Sequence, residues 1–378
     1  MKIDYFEKYI NDCKNKKNFN RNKVKKEYPF FSICICSYNS EQYIENAILS
    51  IINQSFQDFE IVIINDFSSD GSYNIINKYQ DDARFKIINH SKNYGIYRSR
   101  VDAIYNSKGE YILFIDADDM ILNEYLFEIL YSYATIYNFD IIEFLVLHQL
   151  EGKNFLFFPS PNELNHFHNY NENIIYQPEL STIIFYIPGT KNYSSIICRT
   201  VWNKIYKKEV MQISIKYIGE KFYSNSYLNY GEDTIMNILN FRYAKNYTNI
   251  NIHGYMYNIR SDSISRFTDD VKKRHILNLG IYYYMKLLYK YIKAFKLERE
   301  LLYKELELFN NQILFMKKND SIFFKKKVKK IFKNIIADDK TSASLKRYLK
   351  KIIKYKRNNW TKKSKKKKNY LFLIRNLH

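Results

Sequence analysis

Glycine and proline are scarce in this chain, nine and five of 378 residues. So few turn-formers leave little room for a loop-rich all-β fold or a string of small domains on flexible linkers. Cysteine is scarce too. Cys13, Cys34, Cys36 and Cys198 form no Cys-x-x-Cys pair, which removes zinc-ribbon and disulfide-framework readings. Cys34 and Cys36 alternate within one apolar run, so they share one face of a strand and read as core thiols. No stretch approaches the roughly 18 uninterrupted apolar residues of a membrane-spanning helix. The opening MKIDYFEKYINDCKNKK lacks the apolar centre of a secretory signal. These features fit a reducing, cytoplasmic compartment.

Acidic residues are also in short supply, 39 against 60 Lys and Arg, a formal charge of +21. Such an excess first suggests a polyanionic partner, nucleic acid or an anionic membrane. Its distribution changes that reading. Residues 317–378 hold 23 basic and three acidic residues, while the first 316 hold 37 and 36. The body is close to neutral and the basicity belongs to a tail. Within it, KKSKKKK (362–368) sits beside Trp360 and the apolar run YLFLI (370–374), a composition suited to an anionic membrane surface. A solvated basic tail is the plainer alternative. A nucleic-acid-binding protein with a basic arm is a further one, but the neutral body has no basic aromatic groove, so no nucleic acid is expected.

What is abundant is order. Residues 1–28 form a Lys/Asn-rich leader, after which short β-branched runs alternate with helix-spaced segments. The runs are 30–39, 59–66, 84–90 and 110–116; between them 41–53, 71–80 and 96–106 carry apolar residues at helical spacing. Near-continuous apolar strands alternating with helices predict an α/β fold, a Rossmann-like, mostly parallel sheet with helices on both faces. Ligands bind such sheets outside the carboxyl ends of the strands. Those ends carry Tyr38-Asn39, Asp66 and Asp116. Segment 151–180 reads as loops or an insertion, and 271–316 as helix ahead of the lysine tail.

The chemistry concentrates in Asp116-Ala117-Asp118-Asp119, just past the strand YILFI. Two carboxylates one residue apart suit a hard divalent cation shared with ligand phosphates; an acidic turn capping the helix from Asn123 onward is the alternative. Asn93-Tyr94-Gly95 precedes a helix carrying Arg98 and Arg100, which offer cationic forks to phosphate or carboxylate. Gly231-Glu232-Asp233 opens another helix, as a cap or as an acid-base pair.

In order and content these stretches resemble the family 2 glycosyltransferases. The resemblance rests on PFFSICICSYNSEQYIENAILSIINQSFQDFEIVIINDFSSDGS, NYGIYRSR and KGEYILFIDADD, then more thinly on VWNKIY (201–206), GEDT (231–234) and YNIR (257–260). It implies a GT-A fold over 29–265, with 29–145 binding the nucleotide sugar and 146–265 the acceptor, followed by a helical C-terminal extension, 266–378. It implies an inverting hexosyltransferase that uses a nucleoside diphosphate sugar, most often UDP-linked, and a saccharide, lipid-linked or protein acceptor. Tyr38, Asn39, Asp66, Arg84, Asn93, Gly95, Arg100, Asp116 and Ala117 are then the donor-binding residues. Asp116 and Asp118 hold Mn2+ or Mg2+, and Asp233, with Glu232 beside it, is the general base. Two positions depart from the family pattern. The second strand ends Asn65-Asp66-Phe67 instead of in two acids, and Val101 follows Arg100 in place of Asn. They motivate a third alternative, a catalytically inactive homologue.

Overall fold

The structure is a computed structural model that describes residues 28–150, 156–157, 174–177, 200–218, 228 and 231–260, and single helical residues at 284, 287, 330, 333, 337, 346, 347 and 350. The leader and most of 151–180 and 266–378 lie outside the described residues.

Among the described residues, ten strands form one sheet. They are β1 (Phe31–Ser37), β2 (Phe59–Asn65), β3 (Phe85–Asn89), β4 (Tyr111–Asp116), β5 (Met120–Ile121), β6 (Ile141–Leu150), β7 (Leu156–Phe157), β8 (Ile175–Tyr176), β9 (Lys204–Lys207) and β10 (Asn246–Ile259). Their main order is β3-β2-β1-β4-β9-β6-β10-β5, with β7 on β6 and β8 on β10. The first four strands are parallel, as the alternating runs predict. Beyond β4 the sheet is mixed: β9 is antiparallel to β4 and β6, and β10 is parallel to β6.

Six helices are described: α1 (Ile44–Ile52), α2 (Ser72–Asn77), α3 (Ile96–Asn106), α4 (Leu126–Tyr137), α5 (Lys208–Ile218) and α6 (Glu232–Tyr243). α1 turns Ile44, Ala47, Ile48 and Ile51 inward at helical spacing. They meet Ile33, Ile35, Ile61, Ile63, Leu113 and Ile115 from alternate positions of β1, β2 and β4, together with Leu126, Phe127 and Leu130 of α4. Each such side chain contributes about 1.5–3 kcal/mol by leaving water. The other face is covered by α3, which packs on β1 and β2 and against α5. Cys34 belongs to that face: it is buried, its Sγ lies 3.3 Å from Ser107 Oγ, and burial pushes its thiol up to about 12. The reading as a core thiol holds there.

The chain runs outward from β1 to β2 and β3, then crosses back to place β4 on β1's other side. That reversal opens a crevice at the carboxyl ends of β1 and β4, where Cys36 is opposite Asp116. A buried polar network secures the downstream half. Lys204 Nζ lies 3.3 Å from Glu143 Oε1 and donates to Asn203 Oδ1 at 2.8 Å, while Tyr247 donates to Glu143 Oε2 at 2.8 Å. Trp202 stacks on Tyr255 and Tyr257 at 4.5 and 5.3 Å. The segment 201–206 therefore joins β6, β9 and β10 through buried contacts. Removing one partner from a buried ion pair of this kind costs about 3–5 kcal/mol.

Candidate active site

β4 delivers Asp116 to the crevice, and the turn after it is gripped from β10. Asp119 is buried and accepts from Tyr255 Oη and from the Asn258 N–H, each at 2.8 Å. Asn258 Nδ2 donates to the Asp118 carbonyl at 2.6 Å, and the Asp116 N–H donates to Tyr255 Oη at 3.1 Å. This clamp turns Asp116, Asp118 and Asp119 toward one another, with one oxygen from each within 4.8 Å of the others. Burial first, then the charges of Asp118 and Asp116, hold the Asp119 carboxyl well above the usual carboxylate range. Ala117 is buried in the same turn.

Arg100 is the hub. Its side chain is 3% exposed, and it reaches Asp116 Oδ1 at 3.1 Å, Glu232 Oε1 at 3.0 Å and, more closely still, Asp233 Oδ1. α3 therefore links the end of β4 to the start of α6, where Gly231 takes the left-handed conformation (φ 75°) and both acids lie in the first turn. Burial raises the Glu232 carboxyl to about 8, with the neighbouring Asp233 adding and Arg100 opposing. Burial also raises Asp233, but there Arg100 is the largest opposing influence, through its charge and its hydrogen bond. On the far side of the cluster Arg260 Nε lies 3.0 Å from Asp118 Oδ2, with its guanidinium 4.6 Å from the Tyr43 ring centre.

The β1 and β2 ends build a second wall. Tyr38 presents an exposed ring. Asn39 behind it is left-handed (φ 51°), and its Oδ1 accepts from the Ser69 N–H at 2.8 Å, tying the β1 loop to the β2 loop. Asp66 is buried, and three donors reach its carboxylate: His90 Nδ1 at 2.7 Å, the Tyr94 N–H at 2.8 Å and the Gly95 N–H at 2.8 Å. Gly95 has φ 86° and precedes α3, so Asp66 helps fix the start of the helix that carries Arg100. Asn93 is half-buried in the same turn. A carboxylate accepts about four hydrogen bonds, and three are described at Asp66.

Asn65 explains its departure from the family pattern. It is buried, donates to Asn89 Oδ1 at 2.9 Å and accepts from the Ser68 N–H at 3.2 Å, roles a neutral amide fills without a second buried charge. Val101 is buried against the sheet side of α3.

Arg84 is not brought to this edge. It precedes β3, at the amino ends of the parallel strands, where it pairs with Asp82 at 2.7 Å and Gln57 at 2.7 Å. Five residues of strand separate it from the site, roughly 16 Å. Donor binding by Arg84 has no geometric support; it is a structural ion pair at the opposite end of the sheet.

His90 is the residue the sequence reading passed over. It sits one position beyond β3, its side chain 8% exposed, with Nδ1 2.7 Å from Asp66 and Nε2 3.2 Å from Asp102 Oδ2. Asp102 in turn pairs with Arg98 Nε at 2.6 Å. The available signal was its position, a titratable residue at a strand's carboxyl end.

Residues 32–211 match the family model described as Glycosyl transferase family 2. The cholesterol galactosyltransferase of Borreliella burgdorferi is 25% identical over 186 residues, 48% of this chain and 48% of that protein. Glycosyltransferase GlyA of Streptococcus pneumoniae is 26% identical over 239 residues, 62% of this chain and 31% of that protein. The match thus spans about half or less of these relatives' own length. Crystal structures of S. aureus TarS residues 1–349 align with TM-scores of 0.57, in complex with UDP, and 0.59, in complex with UDP-GlcNAc. Both are 19% identical and cover 80% of this chain and 80–81% of theirs. The architecture is the GT-A fold. The family match covers 180 of the 378 residues, so the segment 32–211 is similar to the family 2 glycosyltransferases.

Burial works against charge on His90, but Asp102 and Asp66 outweigh it and raise the imidazole from 6.5 to about 9. A raised folded-state value stabilises fully below the unfolded value and is lost as pH rises through the folded one. Denaturant unfolding is therefore expected to show stability falling between pH 7 and 9.5, by on the order of 1–2 kcal/mol once solvent screening is allowed for. His90→Gln flattens that fall; an unchanged pH profile in the variant would remove His90 as its source.

Proposed function

We propose that this protein transfers a sugar from a nucleoside diphosphate sugar, UDP-linked, to an acceptor hydroxyl with inversion at the anomeric carbon. The observation that carries the proposal is the convergence of Asp116, Glu232 and Asp233 on the Arg100 guanidinium. It sets a candidate metal acid and a candidate base on opposite sides of one fork.

The residues fit a divalent cation. Three carboxylates offer clustered hard oxygen donors, and the acids at 116, 118, 119, 232 and 233 outnumber the cations described beside them, the guanidiniums of Arg100 and Arg260. A dication balances such an excess of negative charge. Asp116 and Asp118 would hold Mn2+ or Mg2+, which when bound supplies Lewis-acid stabilisation to a diphosphate leaving group.

The chain's own groups supply the rest. The exposed Tyr38 ring offers a stacking surface for a base, and the Asp66 carboxylate suits a pyrimidine N–H. Asn39, Asn93 and Gly95 shape the turns around them. Arg100 opposes the effect of burial on Asp233 through its charge and its hydrogen bond. Asp233 is the more open of the acid pair, 22% exposed against 12% for Glu232, and Glu232 is the one pushed to about 8. Asp233 is therefore the acceptor of the proton. As the acceptor oxygen forms its bond to the anomeric carbon, its proton passes to Asp233 and the bond to the diphosphate oxygen breaks on the opposite face. The acceptor class is a saccharide, lipid-linked or protein hydroxyl in surface glycan, glycolipid or glycoprotein synthesis.

Asp233→Asn is expected to lower transfer at least 10²-fold while leaving metal-dependent UDP binding within twofold of the parent. Full transfer by the variant would remove Asp233 from the base role.

The basic tail is assigned to an anionic membrane surface on the cytoplasmic face, peripherally. Among the described residues Lys330, Lys333, Arg347 and Lys350 are helical and exposed, and no helix is long and apolar enough to cross a membrane. Vesicles containing anionic lipid should float the full chain but not a chain lacking 355–378, with binding weakened by salt. Equal flotation of both would discard the assignment.

A further inference from the structure

The residue just before the candidate base is constrained twice. Gly231 has φ 75°, a conformation that costs any other L-residue about 1 kcal/mol or more. A Cβ placed on it would also lie 2.6 Å from Tyr284 Cδ2, and 3.0 Å from both Cε2 and Cγ, so the ring edge lies directly against the glycine Cα. Tyr284 is fully buried, and Leu287, one helical turn further on, is 1% exposed. Both are helical residues more than fifty positions downstream of Gly231, beyond the end of β10.

We infer that Tyr284 is a positioning residue for the transfer step: its ring braces Gly231 and so sets where the first turn of α6 presents Asp233 to the acceptor. The inference rests on the reading of Asp233 as the base. Gly231 and Asp233 are two residues apart at the start of one helix, so a shift of the first reaches the second with little attenuation. The Arg100 contact holds the same turn at Asp233. Guanidinium and ring thus both bear on the first turn of α6. Misplacing a reacting group by about 1 Å can cost on the order of 10²-fold in rate. The wall at the β1 and β2 ends is built from other residues, Tyr38, Asn39 and Asp66, so UDP binding is the readout expected to stay while kcat falls. On this account the region after β10 takes part in catalysis through position.

The test compares Tyr284→Ala, Tyr284→Phe, Gly231→Ala, the Gly231→Ala/Tyr284→Ala double variant and Asp233→Asn in the full chain. Transfer kinetics are read with UDP binding by calorimetry and thermal melting. Tyr284→Ala should lower kcat about tenfold or more with donor KM and UDP affinity within twofold, and Tyr284→Phe should keep parental kcat. Gly231→Ala should lose at least as much. The double variant should be no worse than Gly231→Ala alone, because removing the ring makes room for the methyl group. Parental kcat in Tyr284→Ala, with Asp233→Asn inactive, overturns the inference alone. Transfer retained by Asp233→Asn overturns the base reading first. If Tyr284→Ala melts too low to assay, strictly additive losses for Gly231→Ala and Tyr284→Leu serve instead to overturn the brace.

Discussion

The buried guanidinium of Arg100 is the interaction on which the rest depends. It joins a strand end and a helix start that lie far apart in sequence, and three carboxyl groups converge on it. Removing a buried charge from such a network leaves its partners uncompensated, at about 3–5 kcal/mol. Burial raises both Glu232 and Asp233, and the same fork opposes it at each.

Around that hub the molecule divides its work. The parallel half supplies a rigid crevice at a topological switch point, and its loops are secured by their own polar contacts: Asn39 to Ser69, Asn65 to Asn89, and Asp66 to His90, Tyr94 and Gly95. The mixed half reaches back to hold the acidic turn through Tyr255 and Asn258. Neither half forms the site alone. Val101 and Asn65, which could suggest a degenerate enzyme, occupy buried positions and leave the acid cluster intact.

Much of this was legible in the sequence for a physical reason. A parallel strand buried on both faces must be a continuous apolar run, so 30–39, 59–66, 84–90 and 110–116 announce both strands and polar ends. The observed strands begin and end within one or two residues of those runs. The same polarity argument places Arg84 at the wrong end, because it stands before its strand, while Asp66 and Asp116 stand at or just past the ends of theirs. It also points to His90, which counting histidines could not. Long-range partners left no local signal: Arg100 with Asp233 across 133 positions, and Tyr255 with Asp119 across 136. Their meeting depends on how β9, β6 and β10 stack beside β4, and no periodicity encodes that order.

The account turns on a donor site assembled by the acidic turn and the β1–β2 wall, and UDP alone probes it without knowledge of the sugar or the acceptor. Calorimetric titration of UDP in Mn2+ should show one site per chain, weakened at least tenfold by EDTA and by Asp118→Asn. UDP binding that is equally tight without metal, or no UDP binding at all, would contradict it.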